Sequence, residues 1–127
     1  MHFQPDLNPN QNNLTGIDAH SIKVNQIAYT SSILLAPTGD VQLIAARHTS
    51  DLDDTIWRNI IEQAPEVLLI GTGLRQQFLS PAILAPLFQA GIGVECMNSG
   101  AAARTFNVLM SEGRRVLALI LLPEENL

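Results

Sequence analysis

Three short apolar runs in the second half of the chain constrain its fold more than any other feature. They are Val67 to Ile70, Ile92 to Cys96 and Val116 to Leu122. The first and last contain no polar side chain, which predicts strands covered on both faces, as in a parallel sheet flanked by helices. Helical patterns separate the runs. Ser80-Pro81 opens one helix that runs toward Gln89, with proline at the first helical position. Pro86 inside it is expected to end or kink it. A later helix spans about Gly100 to Glu112, capped by Ser99 and stopped by Gly113. Strand, helix, strand, helix, strand predicts a three-stranded α/β layer with right-handed crossovers.

The first half reads differently. Extended segments are expected at Ile22 to Val24, running on toward Tyr29, at Ser31 to Ala36 and at Val41 to Ala45. Pro37-Thr38-Gly39-Asp40 joins the last two as a turn, because proline pre-sets its φ and glycine accepts the awkward position. Ser50 to Gln63 predicts an amphipathic helix. Leu52, Ile56 and Ile60 recur every four residues, and Trp57 and Ile61 widen the stripe. Ser50 is the expected N-cap, and Asp51, Asp53 and Asp54 suit the positive end of the helix dipole. The expected organisation is a flexible N-terminal segment (residues 1–19), one α/β domain (20–123) and a short C-terminal tail (124–127).

At 127 residues the chain fits one domain with a real core. Seven basic and twelve acidic side chains give a net charge of -5, which argues against nucleic acid or an anionic membrane as a generic partner. The single cysteine, Cys96, excludes an internal disulfide and a cysteine metal cluster, and is read as a structural thiol. No apolar run approaches the length of a membrane span. The N-terminus has neither a secretory nor a transit pattern, so the expected location is cytoplasmic.

Gly71-Thr72-Gly73 follows a strand, as a dinucleotide-binding turn would, but Gln76 stands at the third glycine position and the helix begins only near Ser80. The preferred reading is a tight turn, with its backbone amides as a possible anion nest beside Arg75. The last helix carries Ala102, Phe106, Leu109 and Met110 as a buried stripe, and Arg104, Asn107 and Ser111 on another face. Asn107 either joins a polar site or hydrogen-bonds a neighbouring strand. No Ser-His-Asp order, HExxH motif, metal-ligand cluster or paired carboxylate is present, so neither a catalytic residue nor a cofactor is expected.

The strings EVLLIGTG and FLSPAILAPLFQAGIGVECMNSGAAARTFNVLMSEGRRVLALIL resemble a widespread family of small α/β proteins of unassigned function. Its relatives include a mitochondrial complex I assembly factor and an adipogenesis-associated domain protein. The resemblance runs from about Ile22 to Leu122. It implies a single three-layer α/β domain, with an antiparallel portion packed near a central mixed sheet. Gly71, Thr72 and Gly73 match the family's glycine turn; Arg104, Thr105, Asn107, Glu112 and Arg114 match its helix signature. Phe106 stands where tyrosine is common, and Met97-Asn98-Ser99 replaces Met-Asp-Thr, which weakens any acid–base role there.

The resemblance implies a non-catalytic accessory or assembly role through protein–protein contact. The candidate contact crevice comprises Gly71, Thr72, Gly73, Arg75, Ser99, Arg104, Thr105, Asn107, Glu112 and Arg114. The partner's identity and homo-oligomerisation stay open. The alternative is a small anionic-metabolite binder or weak enzyme, with Arg75 and Arg104 clamping the anion and Glu112 as its acid–base group.

Overall fold

A computed structural model describes residues 10–123. Two sheets organise them. The smaller is antiparallel, in the order β1 (Leu14–Ile17), β2 (Ile22–Val24), β3 (Ile27–Tyr29). The larger is mixed and five-stranded, in the order β5-β4-β8-β6-β7. It contains β4 (Ser32–Leu35), β5 (Gln42–Ile44), β6 (Val67–Gly71), β7 (Gly93–Met97) and β8 (Val116–Ile120). β4 pairs antiparallel with β5 and β8, whereas β8, β6 and β7 run parallel.

Both central strands of the parallel part, β6 and β8, are buried along their whole length, as their uninterrupted apolar runs predict. Alternation then divides their side chains between two cores. Val67, Leu69, Val116, Ala118 and Ile120 meet Phe106 and Met110 of α3 (Ser99–Ser111), together with Leu14, Ile22 and Val24 of the small sheet. Leu68, Ile70, Leu117 and Leu119 meet Trp57 and Ile60 of α1 (Asp54–Gln63) and Leu84 and Leu87 of α2 (Pro81–Gln89). The result is three layers: α1 with α2, the five-stranded sheet, and α3 with the small sheet. From β6 to β7 the chain steps outward through α2; from β7 to β8 it steps back across β6 through α3. Same-handed crossovers in opposite directions place their helices on opposite faces, which is the observed arrangement.

Three local expectations are corrected and a fourth, on Pro86, is narrowed. Residues 14–17, inside the segment expected to be flexible, form β1 and pair with β2. The polar character of residues 1–13 hid this strand; residues 1–9 and 124–127 lie outside the described residues. Ser50 does not cap α1. Thr49–Asp51 makes a separate 3₁₀ turn, in which the Asp51 carboxylate accepts from the Arg47 and His48 amides (3.1 and 3.0 Å). Asp53 then caps α1, accepting from the Ile56 amide at 3.1 Å. Of the two effects expected of Pro86, the first does not occur: α2 continues to Gln89, as its pattern predicts, its apolar side held by Leu84 and Leu87. The cap of α3 is Asn98, not Ser99: its Oδ1 accepts from the Ala101 amide at 2.8 Å.

Asn107 explains how the small sheet is attached. Its Oδ1 accepts from the Leu14 amide at 2.9 Å, and its Nδ2 donates to the Leu14 carbonyl at 2.8 Å. One side-chain amide thus completes both backbone groups of a β1 residue, as a paired strand would. Replacing Asn107 by alanine leaves these groups unpaired at a part-buried site. A loss of about 1–3 kcal/mol is expected in urea unfolding, with faster exchange of the Leu14 amide. Unchanged stability would refute this role.

Candidate functional site

The parallel strands end on the side of the sheet where their loops turn to opposite faces, the usual position of a crevice in α/β folds. β6 ends in Gly71, and Thr72 and Gly73 make the turn that leaves it. The Ser99 Cα lies only 3.0 Å from where a Gly71 Cβ would sit, so any side chain there forces α3 away from the sheet. Gly73 has φ +99°, and a Cβ on it would come within 2.9 Å of Pro123. Glycine is needed at both positions, for close approach at the first and for left-handed backbone plus crowding at the second.

Ser99 locks this turn. Its amide donates to the Gly73 carbonyl at 2.7 Å, and its Oγ accepts from the Gly73 amide at 2.8 Å. The hydroxyl proton is directed to the Leu121 carbonyl at 3.4 Å. Thr72 braces the other side: its amide donates to the Met97 carbonyl at 2.9 Å, and its hydroxyl donates to the Arg75 carbonyl at 2.7 Å while accepting from the Gln77 amide at 3.0 Å. The Thr72 and Gly73 amides expected to form an anion nest are therefore already donated within the protein.

Beside the turn lies a cleft of about 660 Å³. The Thr72–Arg75 loop and Ser99 form one side, the chain after β8 (Leu121 to Pro123) another, and the β1–β2 connection with His48 the third. The crevice residues of the sequence reading thus divide. Thr72, Gly73, Arg75 and Ser99 line the cleft; Gly71 lies behind it. Arg104, Thr105, Asn107, Glu112 and Arg114 are not part of its lining.

Each of these five has a place of its own. Arg104 is exposed on α3, its guanidinium reaching back toward Gly100. The Thr105 hydroxyl meets the Met97 sulfur at 3.7 Å. Asn107 holds β1, and Glu112 is an exposed C-cap. Arg114 lies 3.7 Å from the Glu66 carboxylate in an exposed ion pair, worth little in stability.

Sequence reasoning missed Asp18, Leu74 and the apolar cleft residues Ile17, Ile22 and Pro123. No local motif announces Ile17, Asp18, Ile22 and Pro123, because they converge from opposite ends of the chain. Asp18 was legible only with β1 recognised: its Oδ1 accepts from the His20 and Ser21 amides at 2.8 Å each, closing the β1–β2 turn. These amides, His20 first, hold its carboxyl below the ordinary range. Cys96, half-buried on β7, has its thiol pushed up by burial, with the Leu79 amide opposing, so it is not an activated nucleophile. Among the described residues no group of three or more His, Cys, Asp or Glu is placed to hold a metal ion.

Two outcomes test this geometry. Ser99→Ala removes the acceptor of the buried Gly73 amide and is expected to cost about 1–3 kcal/mol in denaturant unfolding; a neutral effect would contradict the lock. Because the folded state lowers the Asp18 carboxyl, its contribution is complete above the unfolded value, about pH 4, and is lost as pH falls through the folded value. The urea midpoint should therefore decline on acidification, less steeply in Asp18→Asn. An unchanged acid slope in that variant would refute the assignment.

A family model described as a protein of unknown function (DUF498/DUF598) matches residues 14–121. The human protein named NADH dehydrogenase [ubiquinone] 1 alpha subcomplex assembly factor 3 is 34% identical over 92 residues, covering 70% of this chain and 49% of that protein. Across the first relatives of this name, the matched stretch spans between 32% and 49% of their length. A crystal structure of a Bordetella parapertussis protein is 41% identical, with a TM-score of 0.82, and covers 90% of this chain and 97% of that one. A solution structure from Bordetella pertussis, described as a Mth938-like domain, is 32% identical, also at TM-score 0.82, covering 100% and 96%. The three-layer arrangement is shared with these structures, and by the match over residues 14–121 the chain belongs to the DUF498/DUF598 family of proteins of unknown function.

Proposed function

We propose that the protein is a non-catalytic accessory factor that helps assemble a membrane-associated complex of the respiratory type, through protein–protein contact at the mouth of the cleft. One structural observation carries the contact surface. The loop after β6 displays Leu74, 71% exposed, and Phe78, 85% exposed, on either side of Arg75. Large apolar side chains at such exposure cost solvation in a free monomer and gain it back when covered. Arg75 is also the only charged residue between Glu66 and Glu95. Charge depletion with an aromatic and an arginine is the composition of an interface centre. The assembly context comes from relatives named as assembly factors of NADH dehydrogenase. Among the described residues, no helix is long and apolar enough to cross a membrane, so contact with a membrane complex would be made through its protein surface.

The cleft volume favours a second reading, a small anionic ligand held beside Arg75. Its weaker point is that the glycine-turn amides are already donated to Met97 and Ser99.

The assembly reading is tested in a strain lacking the protein, by separating its solubilised membrane complexes on native gels. A several-fold loss of assembled NADH:quinone oxidoreductase or another respiratory complex is expected. Wild type should restore it, and a folded Arg75→Glu, Phe78→Ser double variant should not. Normal levels of every complex in the deletion strain would overturn the proposal.

A further inference from the structure

We infer that the cleft receives an aliphatic group ending in a single carboxylate. The inference rests on the contact reading above and names the chemical group that the contact would insert. The volume of about 660 Å³ lies within the usual range of a small-ligand site and is far too small for a folded element. Ile17, Ile22, Leu74, Leu122 and Pro123 supply apolar walls, which select a hydrocarbon body.

The polar groups select the head. Arg75 lines the cleft, and its guanidinium has no hydrogen bond or ion pair among the described residues. A guanidinium pairs two N–H groups with the two oxygens of one carboxylate. Two amides of the glycine turn are withheld from a phosphate dianion: the Thr72 amide is donated to Met97 and the Gly73 amide to Ser99. Asp18 also lines the cleft, and its charge repels a second negative charge more than a first. A single arginine in the lining, a glycine turn whose Thr72 and Gly73 amides are committed, and a facing carboxylate therefore favour a monoanion. Such a group is found on a free aliphatic acid and on the C-terminal residue of a partner chain.

The two sources are separable. Isotope-labelled full-length chain is titrated with hexanoate, hexanol, inorganic phosphate, the tripeptide Ala-Val-Leu and the same peptide as its C-terminal amide. The readout is the amide shifts of Ala19, Gly73, Leu74 and Arg75. Saturable shifts with hexanoate or the free tripeptide are expected, with much weaker effects from hexanol and the amidated peptide. Preference for the tripeptide identifies a chain terminus, and preference for hexanoate a free acid. Arg75→Gln should weaken binding about tenfold, the scale of one lost charge-assisted contact. Ala19→Trp, which fills the cleft from the β1–β2 turn, should abolish it with spectral dispersion retained. Arg58→Gln on exposed α1 should change nothing.

Equal binding of hexanol and hexanoate, tighter binding of phosphate at the same amides, or no saturable shift would overturn the inference. Phe78 is outside the cleft lining. A Phe78→Ser chain that fails in assembly would then still uphold the contact reading when the carboxylate titration fails. Carboxylate binding by a chain whose deletion leaves assembly normal would instead uphold the cleft ligand and refute the contact reading.

Discussion

The close approach of α3 to the end of β6 is the constraint on which the rest of the structure depends. With no side chain at Gly71, the backbone of Ser99 comes within contact of the sheet. There its amide and hydroxyl join Gly73 in both directions. That contact fixes the start of α3, and the helix then carries Phe106 and Met110 over the central strands and Asn107 to the edge of β1. The small sheet is thereby held against the same core. Its β1–β2 connection becomes the far wall of the cleft. A glycine at the end of one strand therefore governs a surface assembled from three distant parts of the chain.

The same arrangement separates two kinds of conspicuous residue. Asn107 and Ser99 hold elements together through short hydrogen bonds, and the signature of α3 is to that extent a record of packing. The side chains of Arg75, Leu74 and Phe78 hold nothing comparable together among the described residues, yet they stand exposed on one loop, the first two lining the cleft. Exposure of costly groups without an internal role is the better guide to function, which is why the proposed contact lies on the β6–α2 loop and not along the outer face of α3.

Much of the fold was legible because burial leaves a local trace. The apolar runs of β6 and β8, the four-residue recurrence in α1 and the glycine at the end of α3 each specify their element within a few residues. β1 was not legible, since Leu14–Ile17 is short and its Leu14 backbone is completed by Asn107, 93 residues away. The caps at Asp53 and Asn98 were placed at Ser50 and Ser99, because nearby Ser, Asp and Asn compete for the same role until the backbone chooses. The site followed the same rule. Gly71, Thr72, Gly73, Arg75 and Ser99 were named from a turn and a helix start, whereas Asp18 and Pro123 enter only through tertiary convergence. Arg104, Asn107 and Glu112 were grouped with them because they share a helix with Ser99, but that helix carries them away from the cleft.

The most direct test asks which face of the molecule touches a partner. A photo-crosslinking phenylalanine analogue placed at Leu74 or, separately, at exposed Val108 on α3 would be irradiated in the native host, and adducts identified by mass spectrometry. Contact at the cleft predicts a discrete protein adduct from position 74 and none from position 108. Adducts from 108 alone, or from neither position, would contradict the account.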